Sequence, residues 1–364
     1  MTIKPLTENQ KELYNALNNE RIIYLAIFGP TGSGKTFFVI DYALRVLKQT
    51  KTKKLIIVKP FIDPSTKKEF TLAELGELYF ENIKQYLKDI ADNLKIEWDE
   101  IEEFIKQKRI VFADFSSLIG RSFDDSIIFI DDVQLVKPER IVEILMRVGS
   151  NSRLIIAGDA LLQAENYQTI KILREILSNQ KDSQIVELGL NDIIRNGAKI
   201  GVKLLLETKL RKREMEKEEK EILDLILEEV DNIDIITVLD LRKIKKLFDS
   251  QKLKSAPDVV IVVKENQAGK IIGKHGQTIQ SLENKLNLTI RILELTLDLR
   301  EYFRVFHPAG KLAKELKEIE LKGPYLYIHT TKEQRPIVLG NKGINIRFFE
   351  VCLKELLGVE VKVV

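Results

Sequence analysis

The sequence predicts an α/β fold, a parallel β-sheet covered by helices, followed by two small α+β units. Between residues 21 and 205, short Ile- and Val-rich runs alternate with longer helical patterns, which is typical of a doubly wound sheet. Further along, residues 257–293 and 324–364 look like two copies of one unit. At 364 residues and 44% hydrophobic, the chain has material for more than one core. We therefore predict an α/β domain over 1–206, a charged helical linker over 207–255, and the two small units over 256–300 and 301–364.

Six apolar runs are the candidate strands, and none of them is long enough to cross a membrane. The runs are residues 22–28, 54–58, 109–113, 126–131, 153–158 and 184–188. No apolar run approaches the roughly 20 residues that span a bilayer, and the first ten residues are too polar for a secretion signal. We therefore expect a cytoplasmic protein without membrane contact. The one cysteine, Cys352, excludes an internal disulfide, and the three histidines are not spaced as metal ligands.

Charge is distributed unevenly along the chain. The net charge is +3, whereas residues 256–364 carry 17 basic against 13 acidic residues. This excess is compatible with a polyanion partner near the C-terminus, and equally with a solvated surface. Charge alone therefore does not identify a partner.

A glycine-rich loop follows the first predicted strand. Its sequence, GPTGSGKT, fits G-x-x-x-x-G-K-[ST] and precedes a helical pattern. The glycines let backbone N–H groups point at phosphate oxygens, with Lys35 reaching the β and γ phosphates and Thr36 binding Mg²⁺. The alternative is a glycine-rich turn without a ligand. The predicted ATP and Mg²⁺ site comprises Gly29, Pro30, Thr31, Gly32, Ser33, Gly34, Lys35, Thr36 and Phe37.

Acidic residues end two other predicted strands. Asp131 and Asp132 close the strand at 126–131. Because parallel strand ends meet at the carboxyl edge of a sheet, Asp131 is placed to hold Mg²⁺ and Asp132 to orient the attacking water. The alternative is a pair of acids capping an ordinary strand. Asp159 ends the strand at 153–158, and Gln163, which follows it, suits a group that senses the γ-phosphate.

With these residues in place, about the first two hundred positions resemble the PhoH family of P-loop ATPases, relatives of superfamily 1 helicase cores with a RecA-like fold. The stretches LAELGEL, IGRSF, GDALLQ and LNDIIRN resemble family segments in the same order. The resemblance implies that Gln10 reads adenine and that Arg195 touches the γ-phosphate. It also implies a homo-oligomer, as a hexameric ring, and an association with a nuclease partner.

The resemblance leaves several points open. Arg195 is either an arginine finger, acting within its own subunit or on a neighbour, or a surface residue capping a helix. Asp132 stands where the family has glutamate, so hydrolysis is expected to be slow. Ile119 replaces the first arginine of the family's R-G-R-T stretch, and Lys59 replaces the arginine that precedes a proline. The chain is therefore expected to be a diverged member.

The two C-terminal copies each contain G-x-x-G between an apolar strand and a helix. GKHG and GNKG are offset by 67 residues, as in a duplication. KH modules use such a loop to hold the backbone of about four nucleotides beside an apolar groove. Candidate groove residues are Ile271, Ile272, Ile279, Ile337, Leu339 and Ile346. Candidate RNA-binding residues are Gly273, Lys274, His275, Gly276, Gly340, Asn341, Lys342, Gly343 and Arg347.

These copies resemble the tandem type II KH domains of archaeal NusA-like proteins, which implies binding of single-stranded RNA, with single-stranded DNA left open. The second loop carries fewer basic residues, so the alternative is that this copy serves only in packing. Three functions are considered: an ATPase that translocates on, remodels or unwinds RNA, an ATP-gated RNA clamp, and a phosphotransferase. The last has no recognisable acceptor site and ranks third.

Overall fold

The computed structural model describes residues 3–63, 66, 69–118, 120–159, 168–248 and 253–364. It divides into two compact units, Met1–Ala198 (the first unit) and Lys199–Val364 (the second unit). Within these described ranges, no helix combines the length and the apolar character that crossing a bilayer requires.

A six-stranded, all-parallel sheet forms the centre of the first unit. The strands are β1 (Tyr24–Phe28), β2 (Lys54–Val58), β5 (Ile110–Ala113), β6 (Ser126–Ile130), β7 (Arg153–Gly158) and β8 (Ser183–Glu187), with the short antiparallel pair β3 (Phe61–Ile62) and β4 (Glu69–Phe70) outside it. The order is β5-β2-β6-β7-β1-β8. These are the six strands that the sequence predicts, with ends that agree within two residues. The fold-class prediction for this unit is confirmed.

Helices cover both faces of this sheet. They are α1 (Glu8–Asn18), α2 (Lys35–Gln49), α3 (Leu72–Leu75), α4 (Glu77–Leu94), α5 (Trp98–Lys106), α6 (Phe115–Leu118), α7 (Pro138–Leu145), α8 (Gln168–Ser178) and α9 (Asn196–Arg211), which contains the boundary between the units. In β1, Leu25 and Ile27 pack into one core with α1, α2, α4 and α5, whereas Ala26 and Phe28 pack into the other with α6, α7 and α8. A strand buried on both faces is the reason for its unbroken apolar sequence.

The second unit contains two three-stranded sheets. Its elements are α10 (Lys217–Glu229), β9 (Ile235–Asp240), α11 (Arg242–Leu247), β10 (Val259–Val263), α12 (Ala268–Ile272), α13 (Gln277–Leu286), β11 (Ile290–Glu294), α14 (Leu299–Phe306), β12 (Glu318–Lys322), β13 (Tyr325–His329), α15 (Gln334–Leu339), α16 (Ile344–Leu357) and β14 (Glu360–Val363). The sheet orders are β11-β10-β9 and β12-β13-β14. In each sheet the central strand is antiparallel to the preceding strand and parallel to the closing one. Both sheets therefore have the same connectivity.

The segment 207–255, expected to be a linker, differs from that expectation. Its strand β9 pairs with β10, and Ile222 and Ile226 of α10 are buried in one cluster with Val238 and Val259. Two apolar residues four positions apart lie on one face of a helix and can be buried even when charges surround them in sequence. The charge run in the sequence hid this apolar stripe. The segment was therefore predicted to be a linker, although β9 is a strand of the β11-β10-β9 sheet and α10 packs in the same core.

Candidate functional site

The glycine-rich loop connects the end of β1 to the start of α2, near the middle of the sheet. The Gly29 N–H donates to the Gly158 carbonyl at 3.0 Å, which joins the loop to the end of β7. Gly32 has a φ of +87°, and a Cβ added there would lie 2.7 Å from the Ala198 Cβ. Glycine is thus required at this position for both its conformation and its size. The loop is held with its backbone curled ahead of α2, as phosphate binding needs.

A cavity of about 530 Å³ opens beside this loop in the first unit. Most of the predicted nucleotide-site residues line it, together with others that the sequence did not single out. The predicted ones are Gln10, Thr31, Gly32, Ser33, Gly34, Lys35, Thr36, Phe37, Asp131, Asp132 and Arg195. Gly29 and Pro30 contribute backbone carbonyls to the same loop, and Gln163 lies outside the described residues.

Lys35 is buried in the loop, with 8% of its surface exposed. Its ammonium donates to the carbonyls of Gly29 at 2.7 Å and Pro30 at 3.0 Å. Burial lowers the pKa of Lys35, and the carboxylates of Asp159, Asp131 and Asp132 act in the opposite direction. A lysine ammonium at the base of this cavity faces the position that nucleotide phosphates take in such loops.

Asp131, directly after β6, accepts hydrogen bonds from two hydroxyl groups. Its Oδ2 accepts from the Thr36 hydroxyl at 2.8 Å and from the Tyr86 hydroxyl at 2.7 Å. Burial, followed by the charge of Asp131, raises the pKa of Tyr86 well above its usual value, so this phenol stays a donor. One hydroxyl and one carboxylate oxygen in contact are the hard ligands that Mg²⁺ takes. Thr36 and Asp131 therefore fit the metal role that the sequence gave them.

Asp132 has a left-handed backbone, with a φ of 55°, which is uncommon outside glycine. Its Oδ2 lies 2.6 Å from the Lys59 ammonium, and its Oδ1 accepts from Gln134 at 3.1 Å. Burial opposes ionisation, but Lys59 and Gln134 outweigh it and lower the pKa of Asp132. The carboxylate is thus kept charged beside the cavity, where it can accept a hydrogen bond from a water molecule.

Asp159 joins the glycine-rich loop to the acidic pair. Its Oδ2 accepts from the backbone N–H of Thr31 at 2.8 Å and from the Thr31 hydroxyl at 3.1 Å. Its own N–H donates to Gln134 at 3.0 Å. Since Gln134 also holds Asp132, one chain of hydrogen bonds runs from the loop to the acids. The sequence placed Asp159 at a strand end but not in this bracing role.

Gln10 lies at the edge of the cavity with its amide bonded to backbone atoms. Its Oε1 accepts from the Leu6 N–H at 2.9 Å, and its Nε2 donates to the carbonyls of Ser33 at 3.3 Å and Asp192 at 3.1 Å. Both N–H donors of the amide are therefore in use. Reading adenine with two hydrogen bonds, as expected from the family resemblance, would require Gln10 to release at least one of them.

Arg195 lies at the mouth of the cavity and is exposed. Within the part of the chain that the structure describes, its guanidinium has no hydrogen bond or ion pair. It is thus free to reach a ligand in this cavity.

Among the cavity residues that sequence reasoning missed, Lys59 and Tyr86 contact the acidic pair directly. Lys59 was noted only as a departure from a family arginine, although its position directly after β2 puts it at the carboxyl edge of the sheet. Tyr86 lies in the middle of α4, one apolar position among many, and no local pattern distinguishes it.

The two G-x-x-G loops have nearly the same backbone. Gly273 has φ and ψ of 73° and 179°, and Gly340 has 71° and 175°. Two residues on, His275 has 53° and 24°, and Lys342 has 53° and 28°. A Cβ on the first glycine of either loop would come within 2.5 Å of the side chain five residues further along, Thr278 or Asn345. Both loops therefore depend on glycine in the same way.

The loops differ in the side chains that they expose. Lys274 and His275 are exposed in the first loop, as are Asn341 and Lys342 in the second. Arg347 donates to the carbonyls of Lys342 at 2.8 Å and Gly343 at 3.3 Å, so its guanidinium lies against the second loop. The second loop thus gains a positive charge from the following helix.

The expected groove contains one wrong residue. Ile271 is fully buried in the core formed with β10 and α13, because its side chain lies on the sheet-facing side of α12. Ile272, its neighbour, is 41% exposed, and Ile337 beside the second loop is 51% exposed. The apolar surface beside the first loop is therefore smaller than the sequence suggested, because Ile271 does not contribute to it.

The parallel sheet, the glycine-rich loop and the acids at the strand ends define the first unit as a P-loop nucleoside triphosphatase fold. A family model described as PhoH-like protein matches residues 2–207, and the chain belongs to this family. A second model, described as KH domain, matches residues 258–304. The chain thus carries a PhoH-like P-loop domain followed by a KH domain.

Several curated relatives match about half of the chain. A PhoH-like protein of Bacillus subtilis is 26% identical over 201 residues, which are 54% of this chain and 61% of that protein. A PhoH-like protein of Mycobacterium leprae is 26% identical over 200 residues, covering 54% of this chain and 56% of the relative. The chain therefore spans less than two thirds of these relatives. Among solved structures, the crystal structure of APE1850 covers 41% of this chain and all of its own, with 18% identity and a TM-score of 0.28.

Proposed function

We propose that this protein hydrolyses ATP in the first unit and uses that reaction to move along or remodel single-stranded RNA held by the second unit. The observation that carries the proposal is the contact of Thr36 and Asp131 beside Lys35, on the same chain as two G-x-x-G loops of matching backbone. A site of the first kind binds a nucleoside triphosphate, and a G-x-x-G loop holds a nucleic-acid strand.

The roles within the cavity follow from the contacts. Lys35 exchanges its bonds to loop carbonyls for bonds to the β and γ phosphates, since charged oxygens are stronger acceptors. Thr36 and Asp131 would hold Mg²⁺, which when bound supplies neutralisation of the phosphate charge. Asp132, kept ionised, orients the water that attacks the γ-phosphate, and Gln163 senses that phosphate. The one-methylene difference from a glutamate predicts slow hydrolysis.

We also propose that both small sheets are KH domains of type II. Support comes from their shared connectivity and from the matching loop angles at an offset of 67 residues. If both loops hold one strand, linkage raises the overall affinity by roughly 10² to 10⁴ without further contacts. Single-stranded DNA is a second possible ligand, because the loops contact the backbone.

Arg195 supports a proposal on assembly. An exposed arginine at a nucleotide cavity, with no partner among the residues that the structure describes, suits an arginine finger, which elsewhere contributes roughly 10³ to 10⁵ in rate. We propose that it acts on the γ-phosphate, either in its own subunit or across a homo-oligomeric ring. Mass measurement with and without ATP tests the ring.

A second candidate function is an ATP-gated clamp that changes its RNA affinity without moving. It is favoured by the single six-stranded parallel sheet within the described ranges, because inchworm movement uses two such domains. Strand-separation assays distinguish the two functions.

The experiment for the first proposal is the ATPase rate of the full chain with and without RNA. Single-stranded RNA oligonucleotides should stimulate the rate, and the Lys35→Ala variant should show no stimulation. An ATPase rate that no single strand alters would count against both the motor and the clamp.

A further inference from the structure

Lys59 is a second lysine of the nucleotide cavity, and no part of the hydrolysis scheme uses it. It directly follows β2, whose last residue Val58 pairs with Ile130 of β6. That pairing places Lys59 next to the acids that follow β6. Its side chain is 22% exposed and lines the cavity, so it is neither in bulk solvent nor sealed in the core.

Three groups hold the Lys59 ammonium. It lies 2.6 Å from the Asp132 carboxylate, 3.8 Å from the Asp131 carboxylate and 4.6 Å from the centre of the Tyr86 ring. The Tyr86 hydroxyl is bonded to Asp131, which fixes the ring against which the ammonium rests. An ion pair and a cation–π contact therefore keep Lys59 at the acidic pair.

The ion pair occupies the carboxylate that hydrolysis needs. Asp132 already accepts from Gln134 through one oxygen and faces Lys59 with the other. While Lys59 stays there, an attacking water would have to share that oxygen with a full positive charge. The water-orienting role of Asp132 becomes available when the ammonium moves away.

A terminal phosphate offers Lys59 another partner. A lysine ammonium is a point charge on a flexible four-carbon stem, and phosphate oxygens are among its usual partners. Burial and, to a smaller extent, the charge of Lys59 lower the pKa of Lys35. Both lysines line the cavity, so both can act on one region of it. A phosphate placed between them would relieve that repulsion.

We propose that Lys59 is a second phosphate-binding cation, which contacts the terminal phosphate of bound ATP and thereby releases Asp132 to orient water. This inference rests on the proposed ATPase function. With ADP the terminal phosphate is absent and Lys59 stays paired with Asp132. The residue therefore distinguishes ATP from ADP and couples the arrival of ATP to the freeing of the carboxylate.

The test compares ATP and ADP affinities of the full chain with Mg²⁺ for wild type, Lys59→Met and Lys59→Arg. Lys59→Met should weaken ATP binding by about tenfold or more, the effect of losing a charged hydrogen bond, and change ADP binding by less than about twofold. Lys59→Arg, which keeps the charge, should retain most of the preference for ATP. Lys4→Met is the matched control, since Lys4 also lines the cavity. In this variant the ratio of ATP affinity to ADP affinity should stay within about twofold of wild type.

The outcomes separate this inference from the function on which it rests. Equal losses of ATP and ADP affinity, or no loss, in a folded Lys59→Met protein would overturn the role of Lys59 while leaving the ATPase proposal intact. Failure of wild type to bind ATP would instead overturn the ATPase proposal itself.

Discussion

Two kinds of glycine loop lead into helices in this protein, and they differ in what surrounds them. The loop before α2 is enclosed by Asp131, Asp132 and Asp159, and its lysine is almost completely buried. The loops before α13 and α16 stand in solvent, with their central side chains exposed. An enclosed loop fixes the charges around a reacting phosphate, whereas an open loop only grips a backbone that passes over it.

The two open loops differ from each other in chemistry and not in shape. Their backbone angles agree within about ten degrees. The polar side chains at the first loop are those of Lys274 and His275. Those at the second loop are Asn341, Lys342 and the nearby Arg347. Any difference in RNA binding between them should therefore come from side chains and not from backbone geometry.

The largest expected effect is at the enclosed loop. Lys35→Ala removes the cation that faces the phosphates, so ATP hydrolysis should fall by about 10² to 10³ or more, as when a preorganised donor is lost. RNA affinity in the absence of nucleotide should stay within about threefold of wild type. Steady-state ATPase assays and RNA titrations measure the two effects. Parallel loss of both activities in a folded variant would show that the loops do not work separately.

A smaller effect is expected when the open loops are altered one at a time. Lys274→Asp with His275→Asp should weaken RNA binding by about tenfold or more and reduce the salt dependence, because phosphate contacts are lost. Asn341→Asp with Lys342→Asp should weaken it less, since Arg347 stays against that loop. RNA titrations at two salt concentrations measure both variants.

The matched control changes the same net charge elsewhere. Lys51→Asp with Thr52→Asp alters two exposed neighbours after α2, and it should leave RNA affinity within about twofold of wild type. ATPase activity should persist in all three double variants. RNA affinity that survives the change at residues 274 and 275 would refute a KH role for the first loop.

The smallest effect concerns the support of the second loop. His307 is buried, accepts from the Ala309 N–H at 3.0 Å and donates to the Val338 carbonyl, at 3.0 Å, just before Gly340. Burial lowers its pKa to about 3. In the unfolded chain, His307 binds a proton near its usual pKa of about 6.5. The stability that the fold gains from the neutral imidazole is therefore complete above that pH and is lost as the pH falls toward 3.

Between pH 7.5 and pH 5, His307 should therefore cost the wild type about 2 kcal/mol of unfolding free energy. His307→Gln, which cannot be protonated in this range, should be less stable at pH 7.5 but lose less on acidification. Urea unfolding followed at both pH values provides the comparison. An identical pH dependence in the two proteins would mean that His307 is not kept neutral by the fold.

Local motifs explain how much of this molecule could be predicted from its sequence. The six strands of the sheet are short apolar runs, and the phosphate loop and its lysine are contiguous, so their positions could be identified. Asp131 and Asp132 could be placed because parallel strands end at one edge of a sheet. Each of these inferences needed only neighbouring residues and the known geometry of a parallel sheet.

Contacts between distant residues could not be predicted in the same way. The group of Lys59, Tyr86 and Asp132 forms only when α4 packs beside two strand ends, and the backbone bonds of Gln10 depend on Asp192, 182 residues away. The strand β9 was missed because the charge run before it obscured the apolar stripe of α10. Ile271 was misplaced since sequence period alone does not tell which side of a short helix faces the sheet.

Titration of the full chain with ATP in the presence of Mg²⁺ tests the central claim most directly. We expect saturable binding of one nucleotide per chain, weakened strongly by Lys35→Ala, because the loop at residues 29–36 and its lysine enclose the triphosphate. No measurable affinity for ATP with Mg²⁺ would contradict the account.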